Sequence, residues 1–130
     1  MNVFISSQSV DAAQSASLIE GLRRAHVGVE HSPRNPRDGD DPRWRDWYEA
    51  GLPAAVGRCE VFVAVIDRGW DSSTWMGQEA DVASKRGLPL LYWNPDRLRV
   101  KAGGMTVYLG EELPPVLDDA LALLLRRAAG

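Results

Sequence analysis

Eight consecutive residues, Glu60 to Asp67 (EVFVAVID), are apolar everywhere except at their two ends. A run this short, rich in valine and with no helical period, reads as a β-strand. Because polar and apolar positions do not alternate along it, both of its faces must be covered by protein. Such a strand belongs at the centre of a parallel sheet, and parallel neighbours need crossover connections that are normally helices. This single stretch therefore points to a layered α/β chain.

The flanking sequence alternates accordingly. Asn2 to Ser6 (NVFIS) is a strand-like run, and from Asp11 onward Ala12, Ala16, Ile19, Leu22 and Ala25 fall three or four apart, as one helical face requires. His26 to Glu30 (HVGVE) is the second predicted strand, and His31 to Pro42 (HSPRNPRDGDDP) holds three prolines, which makes it a loop. A short helix is predicted within Arg43 to Arg58, interrupted at Gly51 and Pro53, before the central strand. Ser72 or Ser73 suits the cap of the next helix, which should stop near Arg86 with Gly87 behind it. Pro89 to Trp93 (PLLYW) is the fourth strand, Met105 to Leu109 a weaker fifth, and Pro114 to Arg127 a closing helix with Leu117, Leu121, Leu124 and Leu125 on one face. The expected architecture is a flavodoxin-like three-layer sandwich, a five-stranded parallel sheet flanked by helices, formed by residues 1–130 as one domain.

Composition narrows the function classes. The 130 residues, 45% hydrophobic and 25% charged, suit one ordinary core. A net charge of −3 with dispersed basic residues gives no footprint for nucleic acid. The longest apolar runs, Val61 to Ile66 and Leu121 to Leu125, are far too short to span a bilayer, and MNVFISSQ has no basic segment ahead of an apolar stretch. A cytoplasmic location without membrane contact is expected. Cys59 is the lone cysteine and reads as a small buried residue at a strand's edge; His26 and His31 have no spacing that suggests a metal site, and none is expected.

In open parallel sheets, ligands collect beyond the carboxyl ends of the strands. Four segments meet there: Ser6-Ser7, the loop from His31 to Pro42, Asp67 to Trp75, and Asn94 to Arg97. Glu79 lies on the first turns of the helix that follows the central strand, with Trp75 one turn before it. A glutamate there ordinarily complements the helix dipole, which would also help to keep it ionised. Trp75 is equally suited to packing or to offering a flat wall. Trp44, Trp47 and Tyr48 recur at helical spacing and should mostly cover the sheet, with one left to line a site or an assembly surface. Arg34, Arg37 and Asp38 are ordinary loop charges, although arginines there are well placed for a pyrophosphate. Asp67 and Asp71 can orient a ribose or simply end the strand with turn chemistry.

The opening VFISS, the strand EVFVAVI and above all SSTWMGQEADVA resemble a TIR (Toll/interleukin-1 receptor) domain of bacterial type, over roughly Asn2 to Leu125. In enzymatic members of that family a serine-containing stretch is followed by a Trp and, four residues on, by a Glu, the spacing held here by Trp75 and Glu79. The chain departs from the pattern at Ser7, where an aromatic is frequent, and at Met76, where a Cys is frequent. The loop from His31 to Pro42 also lacks a family signature. The resemblance implies an NAD+ glycohydrolase or cyclase that cleaves the nicotinamide–ribose N-glycosidic bond, with Glu79 as catalytic carboxylate. Ser6, Ser7, Arg34, Asp38, Trp44, Asp71 and Trp75 are then the expected substrate contacts. NAD+ would be substrate rather than cofactor, and no other cofactor is implied. Self-association through residues 31–42 and a role in bacterial defence or effector signalling are further implications.

Two other readings keep the same residues. Nucleoside 2-deoxyribosyltransferases carry an acidic residue in a similar D-x-G-T-x-x-E setting, but the Gly before Thr is absent here and the Trp before Glu is present. A non-catalytic TIR interaction module would bury Glu79 in hydrogen bonds or salt bridges with no cleft beside it.

Overall fold

Alternation along the two inner strands decides which side chains face which layer. In β1 (Asn2–Ser6) and β3 (Val61–Val65), Val3, Ile5, Val61, Val63 and Val65 join one buried cluster, whereas Phe4, Phe62 and Ala64 join a second on the opposite face. Phe4 and Phe62 are register partners and their rings stack with centroids 5.7 Å apart. Each fully buried side chain of this size contributes about 1.5–3 kcal/mol relative to exposure, so two facing clusters hold three layers together.

The computed structural model describes residues 1–8, 12–32, 45–68, 70, 74–100 and 110–130, with the side chains of Thr74 and Trp75 outside that set. β2 (Gly28–His31), β4 (Leu90–Trp93) and β5 (Glu111–Leu113) complete an all-parallel sheet of five strands in the order β2-β1-β3-β4-β5. Helices α1 (Ala13–Arg24) and α4 (Leu117–Ala128) cover the face of Val63. Helices α2 (Leu52–Gly57) and α3 (Thr74–Lys85) cover the face of Phe62. The flavodoxin-like α/β fold is thus observed, with its switch of direction between β1 and β3.

Several local expectations are corrected. The buried stripe of α1 runs through Ser15, Leu18, Ile19 and Leu22, while Ala16 and Ala25 face outward, because the larger leucine claims the core. His26 does not begin β2; it adopts φ 60° in the turn after α1, and the strand starts two residues later. Gly51 and Pro53 do not interrupt the second helix. A π-helical turn, Trp47–Gly51, leads directly into α2, and the missing Cβ of Gly51 makes room for the Trp47 ring. Pro53 lies in the first turn of α2, directly after the π-helical turn, and the helix continues through it. The stretch Met105 to Leu109 lies outside the described residues, and the strand seen at that edge is Glu111–Leu113.

Two glycines fix chain reversals by conformation. Gly87 at φ +76° stops α3 as expected. Gly110 at φ +69° brings the chain against the Leu90 carbonyl where β5 begins, and a Cβ has no space there. At the far end of β5's return helix, Arg127 binds both carboxylate oxygens of Glu111, with Nε at 2.9 Å from Oε1. This pair ties the last turn of α4 to the amino end of β5. Among the described residues no helix is long and apolar enough to cross a membrane.

Candidate functional site at the strand switch

Ser6 ends β1 on the face of Phe4, so its hydroxyl is directed toward α3 rather than α1. Its register partner is Ala64, whose small side chain leaves space above the sheet. On α3, Met76, Ala80 and Ala83 recur at helical spacing and are buried, which places Glu79, three residues after Met76, on the same inward stripe. The two elements therefore bring Ser6 and Glu79 together. Ser6 Oγ donates a hydrogen bond to Glu79 Oε1 at 3.1 Å.

Glu79 is only 2% exposed, and its Oε2 has no hydrogen-bond partner among the described residues. Burial pushes its carboxyl up from 4.5 to about 8, while the Ser6 hydroxyl, which favours the charged form, pulls the other way. The expectation that the helix dipole keeps Glu79 ionised is corrected here. Glu79 is the sixth residue of α3, past the first turn where the dipole acts, and desolvation outweighs what remains. At pH 7 the protonated form therefore predominates.

A second polar group reaches this pocket of the core. Tyr48, in the π-helical turn, packs half-buried against the α2/α3 side of the sheet. Burial pushes its hydroxyl well above the ordinary phenol range, and the neighbouring Glu79 adds to the rise. The sequence leaves one of Trp44, Trp47 and Tyr48 to line a site without distinguishing which; helical spacing does not reveal a π-turn, so nothing in the pattern singles out Tyr48. π-Turns are frequent at functional sites because they rotate one residue out of the regular helical stripe.

The neighbouring strand ends carry further polar groups. Ser7 follows Ser6 and its Oγ is enclosed without a hydrogen-bond partner among the described residues. Asp67, past the end of β3, is 8% exposed with one oxygen likewise enclosed. Burial raises its carboxyl above the usual range, a bond from its own backbone N–H opposes this, and Asp96 adds to the rise. The Asp67 carbonyl also accepts the Trp70 N–H at 3.1 Å.

After β4, buried Asn94 clamps a tight loop. Its Nδ2 donates to the Leu98 carbonyl at 2.7 Å and its Oδ1 accepts the Leu98 N–H at 2.9 Å. Within that loop Arg97 holds φ 52°, a left-handed conformation that costs a non-glycine residue on the order of 1 kcal/mol.

Of the expected substrate contacts, Ser6 thus lies at the switch point bonded to Glu79, and Ser7 follows it at the end of β1. Trp75 is in α3 one turn before Glu79, with its side chain outside the described residues, as are Arg34, Asp38, Trp44 and Asp71 altogether. Cys59 matches its reading as a small buried residue: its Sγ donates to the Ala55 carbonyl at 3.2 Å, and burial pushes the thiol up to about 12.

The fold and the site geometry can now be set beside known proteins. No protein-family model and no curated protein matches the sequence. Among solved structures, the chain is similar to the TIR domains of the activated Roq1 resistosome, a complex that directly recognises the pathogen effector XopQ. The TM-score is 0.61 at 15% identity, covering 96% of this chain and 97% of that one. At that identity the likeness establishes a TIR-like fold over the length of the chain.

Proposed function

We propose that the chain is a TIR-type NAD+ glycohydrolase or cyclase acting on the nicotinamide–ribose bond, with Glu79 as the catalytic carboxylate. The observation that carries this reading is the state of Glu79. A buried carboxyl with one oxygen bonded and the other left without a partner costs stability, and such groups concentrate at functional sites, here at the strand switch of an open sheet.

In this reading the glycosidic bond breaks with its electron pair leaving on nicotinamide, and the ribose passes through an oxocarbenium-like centre. Glu79 stabilises that developing positive charge, while the Ser6 hydroxyl holds one carboxylate oxygen in place. Water then attacks C1′ and releases a proton, or a nitrogen of the adenine closes the ring instead. The pyridinium of NAD+ is itself cationic, so its arrival beside Glu79 lowers the carboxyl's pKa and charges it when substrate is bound. The remaining expected contacts, Ser7, Arg34, Asp38, Trp44, Asp71 and Trp75, belong to this proposal, as does self-association through residues 31–42. The similar Roq1 chains come from a resistosome, which supports an assembly-dependent activity in a defence setting.

A second reading is supported by the 2% exposure of Glu79, which suits a non-catalytic TIR interaction module. Incubation of concentrated protein with NAD+, alone and with a crowding agent, separates the two. Release of nicotinamide by the wild type and its loss in Glu79→Gln supports the enzyme; no release by folded protein under either condition leaves the module.

A further inference from the structure

A hollow of about 360 Å³ lies beyond the carboxyl ends of β4 and β5, lined by Asn94, Arg97, Leu98, Glu112 and Pro115. Its size falls in the range of small-molecule sites. Its walls are chemically divided. Arg97 contributes a guanidinium that has no carboxylate partner among the described residues, although Glu112 lines the same space. Glu112 accepts the Tyr92 hydroxyl at 3.1 Å through Oε2, and its Oε1 is the carboxylate oxygen not engaged in that bond. Leu98 and Pro115 supply apolar surface. The pair of hydrogen bonds between Asn94 and Leu98 closes the loop in which Arg97 holds its left-handed backbone conformation.

The placement relative to Glu79 matters as much as the lining. Tyr92 and Glu112 are register partners whose side chains leave the sheet on the α2/α3 face, since Leu91, Trp93 and Leu113 occupy the other. Ser6 and Glu79 are on that same face. From the β1/β3 switch to the β4/β5 edge is two strand spacings, about 10 Å, a gap that the pyrophosphate bridge of a dinucleotide spans.

We infer that this hollow is the subsite for the adenylate half of a dinucleotide whose other half lies at Glu79. Arg97 meets the phosphate, Glu112 accepts the ribose hydroxyls, and the base packs on Leu98 and Pro115. The assignment rests on the NAD+ reading above for the identity of the whole substrate, while the adenylate contact itself can be measured without turnover.

Adenosine monophosphate titrated by calorimetry into wild type, Glu79→Gln, Arg97→Gly and Glu112→Gln is the test. Glycine suits the backbone conformation at position 97, so Arg97→Gly removes the guanidinium without disturbing the loop. Wild type and Glu79→Gln should bind the nucleotide with equal affinity; Arg97→Gly should weaken binding at least tenfold and Glu112→Gln severalfold. Adenosine without phosphate should show no dependence on Arg97. In turnover, the ratio of kcat/KM for NAD+ to that for nicotinamide mononucleotide should fall at least tenfold in Arg97→Gly. Absence of binding to the wild type at millimolar nucleotide, or affinity unchanged in Arg97→Gly, overturns the subsite. Adenylate binding that depends on Arg97, with no release of nicotinamide from either substrate, leaves the subsite standing and removes the glycosidase reading alone.

Discussion

The Ser6 hydroxyl and the Glu79 carboxyl, 73 residues apart in the chain, meet at 3.1 Å beneath the carboxyl edge of the sheet. Each is there for a local reason: strand alternation turns Ser6 toward α3, and helical spacing turns Glu79 toward β1. Their contact joins the ends of the switch at which open sheets bind ligands.

Replacing Glu79 with glutamine keeps the shape of the neutral acid and removes its ability to ionise. Nicotinamide release should fall about a hundredfold or more. At pH 4 the melting temperature should stay close to that of the wild type, because the wild-type carboxyl is mostly neutral there in the folded and the unfolded chain alike; at pH 6 the glutamine variant should melt higher. A variant that retains turnover excludes Glu79 from the chemistry.

Stability should depend on pH through the same group. Folded, the carboxyl titrates near 8; unfolded, it returns to its ordinary 4.5. Between these values the folded chain holds a proton that the unfolded chain has released, so the favourable contribution is complete below 4.5, shrinks as pH rises and is gone above about 8. The steepest loss is about 1.4 kcal/mol per pH unit. Urea midpoints measured from pH 4 to 9 should show this decline in the wild type and lack it in Glu79→Gln.

Ser6→Ala removes the hydrogen bond to Glu79 Oε1 and should cost about 1 kcal/mol by urea unfolding. The Ser6 bond holds the Glu79 pKa down, so its loss should move the rise of the pH–rate profile to higher pH. A shift toward lower pH would mean that Ser6 favours the protonated acid instead.

Much of this was legible in the sequence, because burial imposes periodicity. EVFVAVID reads as a doubly covered strand and appears as β3, buried throughout. The stripe of Met76, Ala80 and Ala83 even carries the information that Glu79 points inward, since a residue three positions after Met76 shares its face. What periodicity does not convey is the balance between helix dipole and desolvation, which depends on how deeply α3 is packed. Nor does it convey the π-turn at Trp47–Gly51, which follows from Trp47 packing over Gly51. β5 escaped notice for a simpler reason: it is three residues long and two of them are glutamates, so it has no strand signature.

Gly110→Ala should be among the more damaging small substitutions. The added methyl faces both an unfavourable φ of +69° and the carbonyl of Leu90, with backbone on each side and nothing flexible to yield. A loss of about 2–4 kcal/mol is expected from chemical denaturation. Equal stability would show that the chain can take another path into β5.

The Arg127–Glu111 pair has a practical consequence for handling the molecule. It holds the last turn of α4 at the amino end of β5, and Met1, whose carbonyl accepts the Gly28 N–H at 2.9 Å, lies at the amino end of β1 and β2. Both chain ends therefore emerge on the rim opposite Glu79 and Arg97. An affinity tag, fluorophore or surface tether attached at either end is carried away from the rim that holds Glu79 and Arg97, so immobilised protein should present that rim to solution.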